Sequence, residues 1–124
     1  MPKVLIADDE PHIRLLLSRA LEPLEDEDVD ILTAENGAVA LDLIIQEHPD
    51  IAFIDVMMPQ MSGYDVCRAV KKERKMSVYV VLLTAKGQEV DRTTGMESGA
   101  NLYMNKPFNP DQVLSIVRKI LSGS

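Results

Sequence analysis

Val4-Leu5-Ile6-Ala7-Asp8-Asp9 and its counterpart Ile51-Ala52-Phe53-Ile54-Asp55 decide how this chain is read. Each is a short apolar run, fit for a strand buried on both faces, that stops on a bare carboxylate. Carboxylates placed this way belong at strand tips. Two such tips side by side crowd three negative charges, which raises carboxyl pKa values and destabilises the fold unless a cation neutralises them. A hard divalent cation does this best, because it takes oxygen ligands. The pattern predicts an Mg²⁺ site on an α/β domain.

Outward from these runs, short apolar segments alternate with helix-period segments. Ile13, Leu16, Leu17, Ala20 and Leu21 form one helical stripe, with Pro11 in the first turn and Pro23 ending the helix near Glu22. Glu25-Asp26-Glu27-Asp28 reads as a solvated turn. Residues 29–34 read as a second strand, and Asn36-Gly37 turns into a helix carrying Ala38, Leu41, Ile44 and Ile45, closed by His48-Pro49. After the third strand, residues 57–63 form a loop, followed by a helix with Val66, Ala69 and Val70 inward and Arg68, Lys71 and Lys72 outward.

Residues 78–83 are the most apolar run and predict a central strand ending at Thr84. Residues 88–98 form a poor helix interrupted by Gly95, and each interior glycine costs roughly 1 kcal/mol against alanine. Residues 102–105 predict a fifth strand before Lys106-Pro107. The last helix begins at Asn109 with Pro110 at its first position, and carries Val113, Ile116, Val117, Ile120 and Leu121 on one face.

The alternation predicts a (βα)₅ chain, and right-handed crossovers make its sheet parallel with helices on both faces. For five strands the expected solution is the doubly wound, flavodoxin-like order 2-1-3-4-5. Ligands bind such sheets outside the carboxyl ends of the strands, where the order switches, here between strands one and three. Those strands end in Asp8-Asp9 and Asp55. Thr84 and the long-stemmed Lys106 lie at neighbouring tips, so the pocket combines three carboxylates, a hydroxyl and an ammonium. That mixture suits phosphoryl transfer, in which a carboxylate oxygen attacks in line while cations and hydroxyls hold the equatorial oxygens.

Bulk properties narrow the classes. The 124 residues suit one domain, with residues 1–121 as the folded unit and 122–124 as a frayed tail or linker remnant. A net charge of −7 without a basic stripe disfavours direct nucleic-acid binding. No apolar run approaches a membrane span and no secretion signal is present, so membrane association is not expected. A single cysteine, Cys67, forms no internal disulfide and suits a reducing cytoplasm, where it is expected to act as a small core hydrophobe. Capping would account for one of the paired aspartates, not for both together with Asp55.

With these residues in place, the chain resembles the receiver domain of two-component response regulators over nearly its full length. The resemblance rests on Asp8-Asp9 with Glu10-Pro11, on Asp55 through Pro59 with Met61 and Gly63, on Thr84-Ala85, and on Gly99-Ala100 through Tyr103 to Lys106-Pro107-Phe108. It implies that Asp55 accepts a phosphoryl group from a kinase phosphohistidine, so the protein is a phosphoacceptor switch rather than a turnover enzyme. It implies Mg²⁺ (or Mn²⁺ in its place) held by Asp9 and Asp55, by Asp8 through water, and by the Met57 backbone carbonyl. Thr84 and Lys106 would bind phosphoryl oxygens, Thr84 and Tyr103 would form the switch, and the Lys106-Pro107 bond would be cis.

Implied partners are a sensor histidine kinase or phosphotransfer protein, a downstream target or C-terminal output domain, and a second copy in a phosphorylation-dependent dimer. The surface that switches would comprise the 88–98 helix, strand five and the last helix. Asn101 and Leu102 depart from the family's frequent acidic residues. Met57 and Lys86 flank the site without supplying a water-activating base, so no fast built-in hydrolysis is expected. A dehalogenase-type phosphohydrolase would carry its aspartates in another order. A flavin-binding relative would not tolerate the acidic loop after strand one. A receiver that docks without phosphorylation has no need of the intact acidic set.

Overall fold

In the computed structural model, residues 2–85 and 97–123 are described. Strands β1 (Lys3–Ala7), β2 (Asp30–Ala34), β3 (Ile51–Asp55), β4 (Tyr79–Ala85) and β5 (Leu102–Lys106) form one sheet in the order β2-β1-β3-β4-β5. Every pairing is parallel. Among the described residues the α-helices are α1 (Pro11–Ala20), α2 (Glu22–Glu25), α3 (Gly37–Glu47), α4 (Gly63–Arg68) and α5 (Pro110–Leu121). The expected 88–98 helix falls almost wholly outside the described residues, as does Lys86.

Side chains alternate across the sheet, and each face has its own core. Val4, Ile6, Ile51, Phe53, Val81 and Leu83 point to one side, where Ile13 and Leu17 of α1 and Val113 and Val117 of α5 cover them. Leu5, Ala7, Ala52, Ile54, Val80 and Leu82 point to the other, beneath Ala40 and Ile44 of α3, Val66 and Cys67 of α4, and Val70 just after it. Two covered faces explain why β1, β3 and β4 are continuous apolar runs rather than alternating ones.

Local signals set the helix ends. Asn36 caps α3 by accepting from the Val39 N–H at 2.9 Å, and Ser62 and Asp65 form a reciprocal capping box on α4. Asn109 caps α5, with Pro110 at its start. His48, expected with Pro49 to close the helix, caps the end of α3 with a left-handed backbone at φ 49°.

Three expectations change. Leu16 is 47% exposed, because the face of α1 turned to the sheet is the narrow i, i+4 row of Ile13, Leu17 and Leu21. Helix α1 also stops at Ala20, and Pro23 sits in the first turn of the separate one-turn helix α2. Pro23 therefore starts a helix here, where its missing N–H costs nothing. After Arg68, α4 widens into a π-helical turn at Ala69–Glu73, and the Lys71 ammonium donates to the Val78 carbonyl at 2.8 Å instead of pointing outward.

Candidate functional site

The register places the acidic tips side by side. Ala7 of β1 pairs with Ile54 of β3, so Asp8 and Asp55 leave adjacent strands at one level. Asp8 is fully buried, Asp55 is 4% exposed and Asp9 is exposed. One carboxylate oxygen from each of Asp8, Asp9 and Asp55 lies within 4.8 Å of the others. This hard, all-oxygen donor set, open on the Asp9 side, fits a divalent cation of the Mg²⁺ kind.

The Lys106 ammonium lies among these carboxylates, 2.7 Å from Asp8 Oδ2, 3.4 Å from Asp55 Oδ2 and 3.9 Å from Glu10 Oε1. Its peptide bond to Pro107 is cis. Burial works against the Lys106 charge, but the hydrogen bond to Asp8 and the charges of Asp55, Asp8 and Glu10 outweigh it and raise its pKa. Asp55 is pushed up to about 6, first by burial and then by the charge of Asp8, with Lys106 and the Met57 N–H opposing. A carboxylate beside another needs a cation to be fully ionised, and here Lys106 is a partial one.

Backbone contacts hold the aspartates still. The Glu10 N–H donates to Asp8 Oδ1 at 2.9 Å, and Arg14 from α1 donates to the Asp8 carbonyl at 2.6 Å. The Met57 N–H donates to Asp55 Oδ1 at 3.3 Å, and Met57 is 61% exposed. Gly63 lets the start of α4 press on the end of β3: a Cβ there would strike the Asp55 carbonyl and lie 2.9 Å from Val56 Cα.

Thr84 is buried at the tip of β4, and its hydroxyl donates to Asn105 Oδ1 at 2.8 Å. Tyr103 is half-buried on β5 and packs against the α3–α4 side of the sheet. The structure thus gathers Asp8, Asp9, Asp55 and Lys106 tightly and sets Thr84 beside β5. His12 is exposed, with Nε2 3.3 Å from Glu10 Oε2. Cys67 is fully buried, donates to the Ser98 carbonyl at 3.3 Å, and has its thiol pKa raised by that burial.

Sequence reasoning assigned no role to Glu10, Arg14 or Asn105. For Asn105 a signal existed, since a parallel register that puts Lys106 beside Ala85 also puts Asn105 beside Thr84. Arg14 gave none, because its partner is a backbone carbonyl.

Comparison with known proteins agrees with this geometry. The family model for the response regulator receiver domain matches residues 4–118. The chain is 43% identical over 119 residues to the "Probable transcriptional regulator ycf27" of Galdieria sulphuraria, covering 96% of this chain and 45% of that protein. It is 39% identical to the alkaline phosphatase synthesis transcriptional regulatory protein PhoP of Bacillus subtilis, covering 98% of this chain and 49% of that one. The chain therefore spans about half the length of these relatives. Among solved structures, the beryllofluoride-activated receiver domain of DrrB superposes with a TM-score of 0.82 at 33% identity, covering 98% of each chain. A second DrrB structure, of the response regulator DrrB, a Thermotoga maritima OmpR/PhoB homolog, gives 0.83 at 32% identity, covering 99% of this chain and 54% of that one. A buried acidic cluster at the switch point of a 2-1-3-4-5 sheet, matched along almost the whole chain, makes this protein a member of the response regulator receiver domain family of two-component signalling.

Proposed function

We propose that Asp55 accepts a phosphoryl group from a histidine kinase or phosphotransfer protein, and that the resulting acyl phosphate switches the domain. The observation that carries this reading is the buried Asp55 carboxylate flanked by Asp8 and by the Lys106 ammonium at 3.4 Å. A carboxylate oxygen of Asp55 attacks phosphorus in line, the phosphorus–nitrogen bond of the donor breaks, and the imidazole leaves. Asp9 and Asp55, with Asp8 through water and the Met57 carbonyl, would hold Mg²⁺ or Mn²⁺. Such a cation, when bound, neutralises the carboxylates and the phosphoryl oxygens. Lys106 exchanges its contact with Asp55 for one with a phosphoryl oxygen, and Thr84 donates its hydroxyl to another.

As Thr84 turns toward Asp55, Tyr103 moves inward. The surface of β5 and α5 then changes its fit to an output domain, a target protein or a second copy. The relatives named as transcriptional regulators support an output in transcription, carried by an output domain or a separate target protein. A reducing cytoplasm is the proposed location.

Phosphate incorporation from acetyl phosphate or phosphoramidate, with and without Mg²⁺, tests the reading on wild type and Asp55→Asn. One Mg²⁺-dependent phosphoryl group that disappears in Asp55→Asn is expected. No incorporation into wild type would leave a receiver that works by docking alone.

A further inference from the structure

The β4–β5 register sets Thr84 opposite Asn105 and Ala85 opposite Lys106. Thr84 is 2% exposed, and its Oγ1 lies 2.8 Å from Asn105 Oδ1 and 3.4 Å from the Met104 carbonyl oxygen. A threonine hydroxyl has one proton to donate. At these distances it is committed to the Asn105 side chain, with the Met104 carbonyl a distant second acceptor. For Thr84 to donate to a phosphoryl group on Asp55, that same proton must leave Asn105.

We propose that Asn105 is a positioning residue of the switch. Its side-chain carbonyl holds the Thr84 hydroxyl on the β5 side at rest and sets the threshold that phosphorylation must exceed. The inference rests on Thr84 being the group that binds the phosphoryl oxygen. Asn105 itself is exposed, so truncating it opens no cavity. A contact made only in the resting state weights the equilibrium toward that state by its own net worth. For one neutral hydrogen bond this is roughly fivefold. The Lys106 ammonium contacts Asp8 and Asp55 and not Asn105, so the resting hold on the Thr84 hydroxyl is separate from the resting hold on the ammonium.

The test is a titration with beryllofluoride, a phosphoryl mimic, in Mg²⁺. It compares wild type, Asn105→Ala, Thr84→Val and the double variant. Asn105→Ala is expected to half-saturate at about fivefold lower concentration than wild type. In the Thr84→Val background the Asn105 substitution is expected to change nothing, because no hydroxyl remains to be held. Identical half-saturation of wild type and Asn105→Ala overturns the proposal, and so does the same change in both backgrounds.

A second readout needs no phosphoryl mimic. Side-chain couplings of Thr84 by NMR in the unliganded protein should show a redistributed rotamer in Asn105→Ala, and an unchanged rotamer overturns the proposal. Wild type that takes no beryllofluoride overturns the acceptor reading and the threshold with it. Wild type that takes it while Asn105→Ala is indifferent overturns the threshold alone.

Discussion

Lys106 Nζ stands 2.7 Å from Asp8 Oδ2, in an ion pair whose carboxylate is fully buried and whose ammonium side chain is 12% exposed. Removing one partner of a buried pair leaves the other charge without compensation. Lys106→Met should therefore destabilise the metal-free protein by about 3 kcal/mol. Saturating Mg²⁺ should recover much of that loss, since it neutralises the same carboxylates. Urea unfolding with EDTA and with Mg²⁺ measures both, and equal stability of variant and wild type in EDTA would deny the pair any net worth.

Asp55 links stability to pH. Its folded pKa, about 6, lies above the ordinary carboxyl value because burial and Asp8 disfavour its charge. Its favourable contribution is complete below about pH 4 and is lost as pH rises through about 6. In EDTA, Asp55→Asn should thus match wild type near pH 4 and exceed it by up to about 3 kcal/mol above pH 7. Thermal melts across this range check the sign, and a gap that narrows as pH rises would contradict it.

Mg²⁺ should stabilise the wild-type fold by mass action, by about 2.7 kcal/mol at one hundred times its dissociation constant. Asp9→Asn should blunt the shift while leaving the apo melt nearly unchanged, because Asp9 is exposed. Calorimetric melting over a Mg²⁺ series tests this, and a full Mg²⁺ shift in Asp9→Asn would remove Asp9 from the ligand set.

Gly63→Ala should cost about 1 to 3 kcal/mol, the usual range for forced overpacking. The added Cβ meets backbone, the Asp55 carbonyl and Val56 Cα, which has no rotamer by which to yield. The same push falls on the strand end that carries Asp55, so phosphate incorporation should slow in the folded variant. A variant as stable as wild type would show that α4 can shift away at little cost.

The sheet was legible because β1, β3 and β4 are buried on both faces, and such strands show themselves as unbroken apolar runs. The acidic cluster was legible for a related reason: nothing but a strand tip explains a carboxylate directly after four buried residues. Leu16 misled because helical periodicity does not reveal how wide the buried stripe is. Only the packed sheet shows that Ile13 and Leu17 suffice. The π-helical turn after Arg68 leaves no compositional trace. Glu27 lay in a stretch read as solvated, yet it pairs with Arg118 at 2.8 Å, a partner 91 residues away that local pattern cannot supply.

The parts of the site differ in how firmly the sheet holds them. Asp8 and Asp55 extend from β1 and β3, each flanked by two strands, whereas Asn105 and Lys106 ride on β5, which among the described residues pairs with β4 alone. Excursions of an edge strand break one ladder rather than two, so they are cheaper and more frequent than those of interior strands. The carboxylates proposed to carry the chemistry leave interior strands, whose displacement would break two ladders. Asn105 and Lys106, proposed to respond to it, are carried by an edge strand.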